Sequence, residues 1–486
     1  MNSDSKPEIW TAADITDVLG VAAIAPWSAT GVSIDSRSVE SGDLFVAIVG
    51  PTFDGHDFVE NAVQNGAVGA IVHRDPGHLT DDAAIAAKMI QVTDTLHALE
   101  MLAAHARERS AAKIVAVTGS VGKTGSKEIL KLLLSDQGRT SVSEGNLNNH
   151  WGLPLSLSRM PENTEFGVFE MGMNHAGEIR PLSLIAKPDV SLITTVEQVH
   201  SEFFSSVEQI AESKAEIFAG LKPGGAAVLN ADNPMFDYLN ATARLSPDVS
   251  IKTFGYNVDA DFRLLSVTQG NASSQVDARI DGRPISLEIG IPGRHWAMNA
   301  MGVLACVAAV GADVEQAAAK LKDMHGLKGR GELHSIEIEG GEFVLIDESY
   351  NASPVSMAAA VDVLGQMFVS GSGRRIVVLG DMLELGEDAE KLHRDLSGPL
   401  KENGIDLVFT AGQYMADLWD ALPANMRGGH AMISRKLSPL VTGVIRPGDI
   451  VSVKGSLGSK MGVIVGDLMD MGNRDAHNKS QIVNGN

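Results

Sequence analysis

The run Thr118-Gly119-Ser120-Val121-Gly122-Lys123-Thr124 holds the residue types that handle phosphate. Backbone N–H groups around its glycines can surround phosphate oxygens, Lys123 can reach the terminal phosphates of a nucleotide, and the Thr124 hydroxyl can hold Mg²⁺. The spacing is short, because two residues separate Gly119 from Gly122 and Val117 stands where the standard pattern has its first glycine. Taken alone, an ordinary strand-to-helix turn with a surface lysine would read the same way.

Such a loop works only if a strand delivers it and a helix leaves it. Lys113-Ile114-Val115-Ala116-Val117 reads as a buried strand and Ser126 to Leu134 as a helix. Apolar runs at Gly167–Met171 and Val190–Thr195 alternate with helical segments, which predicts a mostly parallel sheet. Ahead of it, Asp43–Gly50 and Ala67–Val72 suggest a small α/β unit, and the Ala- and Leu-rich segment Leu96–Arg109 reads as a helix leading into the next unit. Beyond Gly326-Leu327-Lys328-Gly329-Arg330-Gly331, strand candidates at Glu342–Asp347, Arg375–Gly380, Leu407–Thr410 and Asp449–Val453 repeat a strand-then-helix rhythm. The expected fold class is therefore α/β in three domains, over residues 1–110, 111–328 and 329–486, the last two doubly wound. The polar tail after Asp470 is expected to be disordered.

Bulk properties agree with a multidomain globular chain. Its 486 residues are 44% hydrophobic and 21% charged, and the net charge of -22 argues against nucleic acid and anionic lipid as general partners. Any anionic substrate must then meet locally placed cations. The single cysteine, Cys306, excludes an intramolecular disulfide and sits in an apolar stretch that reads as a buried helix. No integral membrane segment or leader pattern is visible, so a cytoplasmic location is expected.

The shortened loop resembles that of the Mur ligase and folylpolyglutamate synthase superfamily. Further matches follow in order: Gly145-Asn146-Leu147-Asn148-Asn149-His150-Trp151-Gly152-Leu153-Pro154, Glu170-Met171-Gly172-Met173-Asn174-His175, His200, and Ser213-Lys214-Ala215-Glu216. The first of these is similar to the segment found in Mur ligases that add D-alanyl-D-alanine. The resemblance implies a small UDP-muramoyl substrate domain, a central P-loop ATPase domain and a C-terminal Rossmann-like ligase domain. It also implies ATP and Mg²⁺ as cofactors, and UDP-N-acetylmuramoyl-tripeptide and D-alanyl-D-alanine as substrates of a monomer.

Residue roles are carried over by the same resemblance. Gly119, Ser120, Val121, Gly122, Lys123 and Thr124 would hold ATP phosphates, with Thr124, Glu170, His200 and Lys214 around the metal. Lys123, Lys214 and His200 would be the catalytic set, Lys214 as a carbamate. His295 and Asn299, in Gly293-Arg294-His295-Trp296-Ala297-Met298-Asn299-Ala300, would line the adenine site, and Arg330 and Asp347 would contact the nucleotide. Ser36, Arg37, Asn149, Tyr350, Asn351, Lys454 and Ser456 are the expected substrate contacts. Taken singly, Glu170, His200, Lys214 and Lys454 read equally well as solvated or capping side chains, and Asp347 as a turn cap.

Two positions depart from the pattern: Gly125 stands where a second threonine is more usual, and Glu348 replaces an aspartate. The implied chemistry runs through an acyl phosphate, which water would destroy, so closure of the third domain about Gly329-Arg330-Gly331 is expected. Sister ligases that add a diamino acid, folylpolyglutamate synthase and a non-catalytic P-loop module are the rival readings. An Asp-Asn-Pro-Arg signature of the first is missing, and the second lacks a domain ahead of the loop.

Overall fold

The computed structural model describes residues 6–21, 26–198 and 202–483. Among these, three parallel-based sheets follow one another along the chain, beside a small antiparallel pair formed by Trp10–Thr11 and Ser28–Ala29. The first sheet runs Gly31–Ser33, Asp43–Val46, Gly69–Val72, Met89–Gln91, all parallel. Helix Thr95–Arg109 covers it. Asp94 caps that helix through Leu96 N–H at 2.8 Å and His97 N–H at 3.0 Å. Leu99, Leu102, Ala103 and Ala106 recur at helical spacing and are fully buried, so one face packs down while the other stays wet.

The second sheet is ordered Arg283–Ile289, Ser274–Ile280, Phe262–Gln269, Ser250–Gly255, Ala226–Asn230, Val190–Ile193, Lys113–Thr118, Phe166–Glu170, Thr140–Val142. From Thr140–Val142 to Phe262–Gln269 every pairing is parallel, whereas the last two strands form an antiparallel meander. Apolar clusters lie on both faces. Helices Lys123–Ser135 and Arg294–Ala309 contribute Leu130, Leu133, Met301 and Leu304 to one, and Ile179–Ala186 and Val207–Ala215 contribute Leu182 and Ile210 to the other. Cys306 is buried in helix Arg294–Ala309, and that burial pushes its thiol pKa up, as for an inert core cysteine.

The third sheet is ordered Glu332–Ile338, Gly341–Glu348, Ile450–Lys454, Arg375–Gly380, Leu407–Ala411, Arg427–Ala431, with only its first pairing antiparallel. The final helix runs Gly462–Val483, past Asp470, where the composition predicted disorder. Its first turns are anchored by Ile464 and Leu468, both fully buried, and extending a formed helix costs far less than starting one.

Among the described residues three links join the second and third parts, one of them Glu202 N–H donating to Glu384 O at 3.4 Å. Another is the chain itself, at residues 327–331. The third is the tip of the meander: the Asn271 amide donates to Phe368 O at 2.8 Å and accepts from Phe368 N–H at 2.7 Å, while Gln269 Nε2 donates to Val363 O at 2.8 Å. The first part is tied to the second by Trp10 Nε1 donating to Ser158 O at 2.8 Å and Arg159 Nε donating to Val32 O at 2.6 Å.

Candidate active site

Strand Lys113–Thr118 ends in the phosphate loop, and helix Lys123–Ser135 begins at its far side. Gly122 caps that helix at φ +88, and a Cβ there would lie 2.9 Å from Asn299 Oδ1, so both backbone and space demand glycine. The next strand fixes the loop from beside it. Thr194 Oγ1 donates to Val121 O at 2.6 Å; Ser120 Oγ donates to Glu197 O at 3.0 Å and accepts from Glu197 N–H at 2.9 Å.

Lys123 Nζ donates to Gly119 O at 2.6 Å and to Ser120 O at 3.4 Å. Burial pulls its ammonium below the ordinary lysine range; Glu170 opposes that shift and Arg330 adds to it. Thr124 Oγ1 donates to Glu170 Oε2 at 2.9 Å, and Asn148 Nδ2 donates to Glu170 Oε1 at 2.8 Å, so each oxygen of a carboxylate only 2% exposed has a partner. Lys214, in the last turn of helix Val207–Ala215, is 2% exposed. Burial depresses its pKa strongly, and the neighbouring charge of Lys123 depresses it further.

The opposite wall comes from the third sheet. Arg330 lies over the Tyr350 ring, 4.4 Å from its centroid, and Lys454 Nζ donates to Glu348 Oε2 at 2.6 Å across two adjacent strands. Glu348 thus spends its charge on Lys454. His295 faces this pair: burial lowers its pKa, Glu348 raises it and Lys454 lowers it, which keeps the ring neutral and suited to stacking. Between the walls lies a cavity of about 570 Å³, the size of a small-molecule site, whose lining includes Lys123, Thr124, Glu170, His295, Asn299, Arg330, Tyr350, Asn351 and Lys454. A second cavity of about 190 Å³ adjoins it, between Ser120 and Val121 on one side and Asn351, Glu384 and Ser456 on the other. Ser456 Oγ accepts from Leu383 N–H at 3.0 Å, and the buried His393 takes Met382 N–H on Nε2 at 2.9 Å, so both brace the loop that carries Glu384.

Not every expected site residue lines these cavities. Asn149 caps the start of helix Gly152–Ser158, accepting from Gly152 N–H at 2.9 Å. Asp347 is buried and holds the interdomain link, accepting from Gly329 N–H at 3.0 Å as well as from the Ser349 hydroxyl at 2.6 Å. Ser36 and Arg37 lie in the first part, Ser36 buried and Arg37 exposed in an ion pair with Asp35 at 2.6 Å. His200 lies outside the described residues. Conversely, Asn146, Asn148, Glu197, Trp296 and Glu384 line the cavities without having been singled out. Asn146 and Asn148 sat inside a quoted motif, so alternate positions of that loop were the available signal.

The missing threonine at position 125 has a spatial cause. A Cβ on Gly125 would lie 2.7 Å from Trp296 Cζ3 and 3.0 Å from Cη2, so the indole fills the volume a side chain would need. Among the described residues no cluster of three or more His, Cys, Asp or Glu could hold a metal ion, and no helix is long and apolar enough to cross a membrane.

A phosphate loop opening a helix at the carboxyl edge of a parallel sheet, roofed by a second α/β unit, defines an enzyme that uses a nucleoside triphosphate. Three family models match in sequence: Mur ligase family, catalytic domain, over residues 28–107; Mur ligase middle domain over 117–307; and Mur ligase, glutamate ligase domain, over 329–457. The UDP-N-acetylmuramoyl-tripeptide--D-alanyl-D-alanine ligase of Rickettsia prowazekii is 34% identical over 457 residues, covering 94% of this chain and 99% of the relative. That of Bacillus subtilis is 36% identical over 444 residues, covering 90% and 93%. The crystal structure of MurF from Acinetobacter baumannii superposes with a TM-score of 0.82 at 29% identity over 95% of this chain and 99% of its own. MurF ligase from Thermotoga maritima in complex with ADP gives 0.74 at 26% identity over 91% and 98%. The chain belongs to the Mur ligase family.

Proposed function

We propose that this enzyme joins D-alanyl-D-alanine to UDP-N-acetylmuramoyl-tripeptide at the expense of ATP, giving the UDP-linked pentapeptide, ADP and phosphate for peptidoglycan synthesis. The observation that carries this reading is the cavity in which phosphate-loop groups face Asn351, Tyr350 and Lys454 of the third sheet, in a chain that matches curated ligases of this activity along nearly their whole length. Cytoplasmic location and a single-chain assembly go with it.

The chemistry needs positive charge where phosphoryl oxygens gather it. The tripeptide carboxylate forms a bond to the γ-phosphorus as the bond to ADP breaks. The amine of the dipeptide then bonds to the acyl carbon, losing a proton, as phosphate leaves. Lys123 supplies a cation at the phosphate loop. Thr124 and Glu170 offer two hard oxygen donors 2.9 Å apart at that end of the cavity, a set that suits Mg²⁺ completed by phosphate oxygens. Bound there, the ion would neutralise charge on the transferring phosphoryl group. His200 and a carbamylated Lys214 complete the set in this reading. His295, held neutral, stacks on a base, and Arg330, stacked on Tyr350, sits at the junction of the two walls.

Phosphate release with ATP, Mg²⁺ and UDP-N-acetylmuramoyl-tripeptide tests the proposal. It is expected to depend on added D-alanyl-D-alanine. Dependence on a single amino acid instead would move the chain to a sister ligase, and release independent of any acceptor would sink the ligase reading.

A further inference from the structure

Lys127 is a charged group that the chemistry above does not use. It lies on the helix opened by the phosphate loop and is wholly buried. Its Nζ donates to Ser143 O at 2.7 Å and Gly145 O at 3.0 Å, and it pairs with Glu128 Oε1 at 3.0 Å. An ammonium is costly to bury, so what it holds there matters. Ser143 and Gly145 stand at the entrance of the segment Asn146-Leu147-Asn148-Asn149, whose Asn146 and Asn148 line the main cavity.

From that segment the contacts run back to the same helix. Asn148 O accepts from Gly172 N–H at 2.8 Å, just past the strand that ends in Glu170, and Asn148 Nδ2 donates to Glu170 Oε1 at 2.8 Å. Ser143 Oγ accepts from Glu170 N–H at 3.2 Å. Glu170 Oε2 then takes the Thr124 hydroxyl at 2.9 Å. Thr124 and Lys127 are three residues apart, hence one turn apart on one helix face. The circuit is closed: Lys127 fixes the asparagine segment, Asn148 fixes one oxygen of Glu170, and Thr124 meets the other.

We propose that Lys127 is a positioning residue of the phosphoryl-transfer site, acting through Asn148 to hold the Glu170 carboxylate beside Thr124. This rests on reading Thr124 and Glu170 as the pair that holds Mg²⁺. A buried cation that merely satisfied two carbonyls would stabilise the fold and leave metal-dependent binding alone.

The test is calorimetric binding of ADP with Mg²⁺ and with EDTA, on the wild type, Lys127→Met, Asn148→Ala and the double variant, with thermal melting alongside. Each single variant is expected to lose about tenfold of the Mg²⁺ enhancement of ADP affinity, the usual effect of removing an outer-sphere partner. Metal-free ADP affinity stays unchanged in Lys127→Met, and the double variant is no weaker than the weaker single, because both act on one carboxylate. Lys127→Gln, whose amide can donate to both carbonyls, restores most of the enhancement, and if Lys127→Met does not fold, the cycle is run with Lys127→Ser, too short to reach either carbonyl. Losses that multiply in the double variant, or that fall equally on metal-free ADP, overturn the proposal. A wild type without any Mg²⁺ enhancement overturns the metal reading and the proposal together.

Discussion

Lys123 acts on a second buried lysine, Lys214, which lines neither cavity. Lys214 has lost its water, and the charge of Lys123 acts on it without a compensating carboxylate among the causes of its shift. A lowered pKa favours the neutral amine, which is the form that adds carbon dioxide, giving a carbamate anion and a proton. Carbamylation would turn two repelling cations into an attractive pair and supply the oxygen donor that the metal set lacks. A carbamate carbon signal is expected in enzyme equilibrated with ¹³C-bicarbonate and absent from Lys214→Gln; a spectrum unchanged by that substitution would remove the carbamate. Lys123, Thr124, Glu170, His295 and Asn299 were legible in the sequence because the residues that flank them in the chain also place them in space. Asn149 and Asp347 were legible as motif members only. Their side chains accept from backbone N–H groups, of a helix start and of the interdomain link, contacts that no residue pattern announces.

The helix opened by the phosphate loop is set by what packs on its first turn. Trp296 presses its six-membered ring against Gly125, and its indole also lies 3.7 Å from where a Cβ on Gly331 would be, so one side chain touches both the nucleotide helix and the interdomain link. Gly125→Thr adds the family's usual hydroxyl but must displace that ring, at a cost of about 1–3 kcal/mol for overpacking. Each 1.4 kcal/mol of this that is felt by the loop weakens ATP roughly tenfold. Nucleotide titration and melting of Gly125→Thr are expected to show both losses, and Trp296→Leu in the same chain to recover them. A fully active Gly125→Thr enzyme would refute the packing account. At this scale the parallel strands were legible as short continuous apolar runs, which is how strands buried on both faces look. The meander carries no such run: polar and apolar residues alternate from Gln275 to Ile280, and burial alternates from Ser274 to Arg279. Its strands are joined by turns, not helices, so the strand-then-helix rhythm does not mark them.

Across the whole molecule, an acidic chain binds anions by gathering cations at one place. Lys123, Arg330 and Lys454 line a single cavity within a protein of net charge -22. That concentration depends on the third part being near, because Arg330 and Lys454 arrive with the interdomain link and the last sheet. Closure on substrate should therefore be measurable: spin labels at Asp237 and Lys391, on exposed faces of helices Phe236–Ala243 and Ala389–Asp395, are expected to approach one another when an ATP analogue and UDP-substrate are added together. Identical distances with and without ligands would exclude the movement.

The meander tip gives that movement its form. A rigid body fastened to another at one point can swing and twist in every direction, but a body fastened at two can only turn about the line through them. The backbone at Gly329–Gly331 is one fastening and the reciprocal Asn271–Phe368 pair is the other. If the Glu202–Glu384 contact releases while both of these hold, the third part is expected to move like a door on two pins, carrying Lys454 along an arc set by where those pins stand.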